Sequence, residues 1–225
     1  MPKTTIYHGS SKIIETPQFG FGKTYNDYGQ GFYCTQHKEL AKEWACTENI
    51  DGYSNHYEIE TDSLNILNLQ DKKYSVLHWL ALLVKYRKFS ISSPILDQGT
   101  KWLLEHFLLD LSNFDIVIGY RADDSYFSFA KAFLQNTISL NQLSYAMKLG
   151  NLGEQFVLKS KKAFDLIKFI DYEVAYNKEF YPKRKSRDEN ARNDFKKELE
   201  KSDLEGIFIR DLIRQEVSLN DPRLQ

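Results

Sequence analysis

Cysteine is scarce: Cys34 and Cys46 are the only two, with no CxxC spacing and no histidine cluster near them. That excludes a cysteine-rich zinc site or a disulfide framework and fits reduced thiols of a cytoplasmic protein. No charge of one sign dominates either, since 30 Lys and Arg stand against 31 Asp and Glu. A net charge of -1 gives no general drive toward nucleic acid or an anionic membrane, and only a local basic patch keeps nucleic acid open as a partner. The longest apolar run, Val76 to Val84, includes His78 and is too short to cross a bilayer. The opening MPKTTIYHGS has no run of signal-peptide type, so no membrane partner is expected. A P-loop, a dinucleotide-binding glycine fingerprint, an internal repeat and a low-complexity tract are also absent from the sequence.

What is present is enough for one sizeable domain, or for one domain with an appendage: 225 residues, 42% of them hydrophobic. The chain is organised around Asp27 to Ala45, DYGQGFYCTQHKELAKEWA. Gly29 and Gly31 flank a turn, and Phe32 to Cys34 reads as a strand that puts Tyr33 and Thr35 on one face. Thr35 then reads as the N-cap of a helix whose apolar stripe is Leu40, Ala41, Trp44 and Ala45, with Trp44 packing into a core.

TTIYHG at Thr4 to Gly9 reads as a strand ending at His8, where a satisfied structural histidine is the plainer alternative to a functional one. Ser10 to Gln30, with its interleaved glycines and aromatics, suits a long loop bordering a ligand site. Further strands are expected at Asn55 to Glu60, Leu64 to Leu69, Phe114 to Gly119 and Glu154 to Lys159. Helices are expected over Tyr74 to Lys88, Thr100 to Leu111, Ser125 to Gln135 and Ser139 to Leu149, with Pro94 and Gly99 in a break and Trp79 and Trp102 as core anchors. Asp123 and Asp124 allow a hydrolase reading, but a helix N-cap explains them more cheaply. Glu154 opens a buried-looking strand, where a carboxylate needs a partner or solvent. From Lys183 to Glu205 the charges are mixed and apolar residues few, as in a polar helix or a disordered segment that adds little to a site, while GIFIRDLI at Gly206 to Ile213 docks again on the body or a partner.

YHGS at Tyr7 to Ser10, GFYCT at Gly31 to Thr35 and GEQF at Gly153 to Phe156 together resemble the His, Tyr, Glu signature of the diphtheria-toxin-like and poly(ADP-ribose)-polymerase-like ADP-ribosyltransferases. More closely, YHGS, DYGQGFYCT with AKEWA, DIVIGYRADD and EQFVLKSKKAFDLIKF resemble a bacterial family of unassigned function that forms a distant branch of that fold. The resemblance implies an α+β fold with a split sheet over residues 1–176, followed by a charged C-terminal extension, 177–225. It implies NAD as substrate, no metal, and transfer of ADP-ribose to an acceptor, as the toxin of a toxin and antitoxin pair with an antitoxin protein as partner. On that resemblance His8 would hydrogen-bond the adenosine-side ribose, the Gly9 backbone would fix the nicotinamide amide and Tyr33 would stack on the nicotinamide ring. Ser10, Thr35 and Gln155 would join the NAD contacts, and Glu154 would hold the nicotinamide ribose and stabilise the oxocarbenium-like transition state. His8, Tyr33 and Glu154 are therefore expected around one cleft. Gln155 stands as the alternative to Glu154 as the retained residue, and Trp44, Tyr53 and Tyr57 all stand as the second stacking aromatic. The competing reading is an inactive NAD-binding or protein-interaction module of the same fold.

Overall fold

The computed structural model describes residues 3–87, 93–122, 124–149, 153–201, 203–218 and 221–224, the side chains of 124–126 excepted. Among these the chain runs β1 (Lys3–Ser10), β2 (Phe32–Cys34), α1 (Lys38–Ala45), β3 (Gly52–Glu60), β4 (Ile66–Asn68), α2 (Val76–Tyr86), α3 (Pro94–Phe107), β5 (Ile116–Tyr120), α4 (Asp124–Leu134), α5 (Leu140–Ala146), β6 (Glu154–Leu158), α6 (Lys161–Leu166), β7 (Ile167–Ala175), α7 (Asn177–Leu199) and α8 (Ile209–Arg214). The fold is α+β, as expected.

Two sheets carry the strands. β1, β3 and β7 pair antiparallel in that order, with Ile6 opposite Tyr57 and Ile59 opposite Ile167. The other sheet has the order β2-β6-β5-β4 and is antiparallel except for β4 and β5. A parallel pair needs a crossover, and α2 with α3 supplies it. The sheets meet at one bridge, where Tyr7 and Thr35 exchange backbone hydrogen bonds of 2.7 and 2.9 Å.

Strand alternation sends the buried side chains of the four-stranded sheet into two cores, and a third, small cluster of Ala45, Cys46, Ala175 and Phe180 lies apart from them among the described residues. Ile6, Cys34, Tyr57, Ile59, Ile116, Phe156 and Leu158 pack between the sheets. Val117 and Val157 point the other way, into a larger core shared with Trp79, Leu103, Phe129 and Phe133 of the helices. Serine caps fix where several helices begin: Ser75 accepts from Leu77 N–H, and Ser139 accepts from Gln142 N–H at 3.1 Å. His78 is absorbed here too, its Nδ1 accepting the Ser75 amide at 3.1 Å.

Several expectations change once packing enters. Thr35 is not the N-cap of α1: His37 holds that position, and the buried Thr35 hydroxyl accepts the His37 amide at 3.2 Å. α3 begins at Pro94, well before Thr100, because proline suits the first turn of a helix, and Gly99 lies inside it, close to Ile209 and Leu134. The edge strand β7 was not expected from the sequence: its apolar alternation, Ile167 and Phe169 and then Ile170, Tyr172 and Val174, slips by one residue at a bulge opposite His56 and Tyr57, and pairing with β3 makes it one strand. The charged stretch after Tyr176 forms α7, which buries Phe180, Ala191 and Phe195. GIFIRDLI docks on the body as a helix, with Ile209 and Leu212 in the same core as Ala191 and Phe195. Asp123 and the Asp124 side chain lie outside the described residues. Among the described residues no helix is long and apolar enough to cross a membrane.

Candidate functional site

Beyond the bridge, strand pairing between the sheets gives way to a side-chain contact. The carbonyl of Tyr33 takes its donor from His8, whose Nδ1 lies 2.7 Å away. A carbonyl only accepts, so Nδ1 carries the proton and Nε2 remains as the ring's acceptor. Burial lowers the His8 pKa against the raising effect of that bond, which keeps the imidazole neutral. Its ring stacks on Phe32, with centroids 4.3 Å apart.

Tyr33 follows the alternation of its own strand. It pairs with Val157, so it shares a face of the sheet with Val157 and Gln155. Its hydroxyl donates to the Gly29 carbonyl at 2.6 Å and accepts from the Tyr28 amide at 3.0 Å. Gly29 takes a φ of +73° in this turn, where an added Cβ would also strike the Tyr86 ring. Burial raises the Tyr33 pKa, so the phenol keeps its proton and pins the loop through its two hydrogen bonds.

Lys159 secures the same loop from below. Its Nζ donates to the carbonyls of Tyr28 and Gln30, both at 2.6 Å, and lies 5.7 Å from the centre of the Tyr86 ring. Burial lowers its pKa from 10.5 to about 8. Between those values the unfolded chain binds the extra proton, so the contribution of Lys159 to stability grows as pH rises through that window and is lost as pH falls through about 8. The buried thiols of Cys34 and Cys46 and the buried phenols of Tyr28, Tyr33 and Tyr57 titrate above their usual ranges, which works the other way at higher pH. The denaturant midpoint of the wild type is therefore expected to gain on that of Lys159→Met between pH 7 and pH 9. Parallel midpoints would show that the ammonium carries no burial cost.

Two chambers adjoin at Arg121. The smaller, about 230 Å³, is bordered by His8, Gly9, Asp27, Tyr33, Trp44 and Gln155, with Arg87 and Arg121 beside them. The larger, about 520 Å³, takes in Glu154, Tyr120, Arg121, Lys148 and Arg187. The expected single cleft around His8, Tyr33 and Glu154 is thus corrected. Gln155 joins His8 and Tyr33, while Glu154, on the other face of β6, opens into the neighbouring chamber. Consecutive strand residues point to opposite faces, so no packing could bring both to one. Among the described residues neither a hydrogen bond nor an ion pair fixes the Glu154 carboxylate.

The other expected residues divide. Gly9 borders the small chamber, but its lack of a side chain is required by α1, since a Cβ would run into the Ala41 carbonyl and the Ala45 amide. Ser10 and Thr35 border neither chamber; the Ser10 hydroxyl accepts the Lys12 amide at 3.2 Å. Trp44 is half-buried and forms a chamber wall instead of core, with the Arg121 guanidinium 4.1 Å from its ring centre. Its place in the α1 core stripe is taken by Glu43, held by Arg187 at 2.9 and 2.8 Å. The tail therefore contributes to the site after all, through Arg187.

Asp27, Arg87, Arg121 and Arg187 were not legible as site residues. Asp27 and Arg121 lie inside the DYGQGFYCT and DIVIGYRADD stretches, but no local spacing marks them, and only the fold brings the two together. Asp27 is 3% exposed; its Oδ2 accepts the Ala122 amide at 2.9 Å, and Arg87 Nη1 stands 3.3 Å from Oδ1. Burial raises its pKa, opposed by the Ala122 amide, by the charges of Arg87 and Arg121, and by Gln155. Among the described residues no group of three or more His, Cys, Asp or Glu side chains is placed to hold a metal ion.

The family model described as "Protein of unknown function (DUF3990)" matches residues 4–169. The chain belongs to that family. The DUF3990 region includes every strand residue at the two chambers and ends within β7, so Arg187 reaches the larger chamber from beyond it. No curated protein and no solved structure matches the chain.

Proposed function

We propose that this chain transfers ADP-ribose from NAD to an acceptor. The observation that carries the reading is the meeting of the three motif strands at one place. His8 and Tyr33 border a chamber at the parting of the two sheets, and the Glu154 carboxylate opens into the adjoining one across Arg121. The larger chamber falls within the usual range of ligand pockets, roughly 300–1,000 Å³, and the smaller falls below it. An elongated dinucleotide reaching through both suits that arrangement better than a compact ligand held in either.

The division of labour follows from the residue types. The ring of Tyr33 holds the planar leaving group, while His8, as a neutral acceptor at Nε2, orients a ribose hydroxyl. Arg121, Arg187 and Lys148 provide positive charge for phosphates in the larger chamber. Glu154 supplies the carboxylate that an oxocarbenium-like transition state needs. A second reading, an NAD-binding module without transfer, draws on the placement of Tyr33 and Glu154 on opposite faces of their sheet. Nicotinamide release from NAD by the purified full chain tests the proposal. Release above the background of the protein-free reaction is expected, and NAD binding without release would favour the second reading.

A further inference from the structure

The small chamber holds two buried oxygen atoms that lack what they are built to receive. Gln155 is 7% exposed, and its Oε1 has no hydrogen-bond donor. Asp27 Oδ1 has none either; Arg87 lies 3.3 Å away as an ion-pair partner, outside hydrogen-bonding geometry. Buried acceptors are nearly always satisfied, by protein, water or ligand. Both residues border the same chamber, and His8 brings a third acceptor, Nε2, to its wall.

The surroundings narrow the chemistry of the missing donor. Arg87 and Arg121 border the chamber, so a cation would be repelled. A carboxylate would meet the Asp27 and Gln155 oxygens, neither of which can donate to it. A neutral group with N–H bonds avoids both conflicts, and a carbonyl on the same group can turn toward the arginines. Tyr33, His8 and Trp44 border the chamber, and an aromatic border suits a flat aromatic body.

We propose that the small chamber is selective for a planar aromatic primary carboxamide, with Asp27 Oδ1 and Gln155 Oε1 accepting its two N–H bonds. This deepens the NAD reading and rests on it for the natural ligand, whose nicotinamide end is such an amide; it makes Asp27 and Gln155 the residues that recognise that end. Selectivity arises because an analogue without the N–H bonds leaves two buried oxygens unpaired.

Calorimetry on the full chain with benzamide and benzoate tests the chamber without NAD. Benzamide is expected to bind at least about tenfold more tightly than benzoate. Gln155→Met and Asp27→Asn are each expected to weaken benzamide roughly tenfold. Thermal melting confirms that each variant is folded, and if Asp27→Asn fails to fold, Gln155→Met alone decides. Equal affinity for the two probes, no benzamide binding, or benzamide affinity unmoved in the folded variants would overturn the assignment, a water-filled chamber then being the explanation. The NAD reading fails separately. A chain that binds benzamide as expected but releases no nicotinamide sinks the transfer and leaves the chamber standing, whereas release with insensitive variants does the reverse.

Discussion

Glu154→Gln should retain NAD binding and lose nicotinamide release by about 10²- to 10³-fold, the usual cost of removing one well-placed electrostatic stabiliser. The substitution keeps the size and shape of the side chain and deletes only its charge. In the folded protein no hydrogen bond or ion pair among the described residues depends on that charge, so stability should barely change. In the reaction the charge matters as the glycosidic bond breaks and positive character develops on the ribose, and its loss falls on the transition state more than on the bound substrate. Tyr33→Ala should differ in kind, weakening NAD affinity itself, because a stacked ring holds the leaving group before and during bond breaking. Its loop should loosen too, since the Tyr33 hydroxyl pins both Gly29 and Tyr28. The measurements are NAD affinity and nicotinamide release for both variants, each corrected for the folded fraction. Unchanged release in Glu154→Gln would remove Glu154 from the chemistry.

Arg187→Ala should be among the most destabilising single changes outside the apolar core. Glu43 is 3% exposed, and the two hydrogen bonds from Arg187 compensate its carboxylate. Removing one partner of a buried pair costs about 3–5 kcal/mol, and the lower end applies because the Arg187 side chain is 28% exposed. At this chain length about 3 kcal/mol lowers Tm by roughly 6–12 °C. Replacing both partners, as Glu43→Leu with Arg187→Met, should recover most of that loss, since the penalty belongs to the unpaired charge. Deleting residues 182–225 should do more damage still. It removes Phe195, Ile209, Leu212, Val217 and Leu224, all buried in the main core. At roughly 1.5–3 kcal/mol each their burial is comparable with the entire net stability of a typical domain, about 5–15 kcal/mol. Thermal melts of the three variants provide the check. A truncated chain that melted like the full one would show that α7 and α8 are dispensable to the fold.

Local pattern was sufficient where the cause is local. The alternation in TTIYHG, FYC, NHYEIE and EQFVLK marked four strands because period-two alternation is itself the reason a strand buries one face. Ser139 and the helix after it were legible because a serine cap acts within three residues. β7 was not, since its alternation slips by one residue between Phe169 and Ile170 and its hydrogen bonds go to β3, more than a hundred positions earlier in the chain. Trp44 and Glu43 show the limit for helices. Apolar spacing put Trp44 in the core, yet Arg121 and Arg187 arrive from distant elements to give the tryptophan a chamber wall and the carboxylate a buried partner.

By itself the sequence determined which residue types stand on which side of each strand, and so that Glu154 and Gln155 face opposite ways. The tertiary structure alone decided which of them meets His8 and Tyr33. That outcome depends on strand order and register: β2 lies beside β6 with Tyr33 opposite Val157, which puts Tyr33 on the face of Gln155 and sends Glu154 into the neighbouring chamber. It also brought Asp27 from a loop, Arg87 from the end of a helix and Arg121 from the end of a strand to one small space, because a chamber closes through contacts between elements and no short stretch of chain records them.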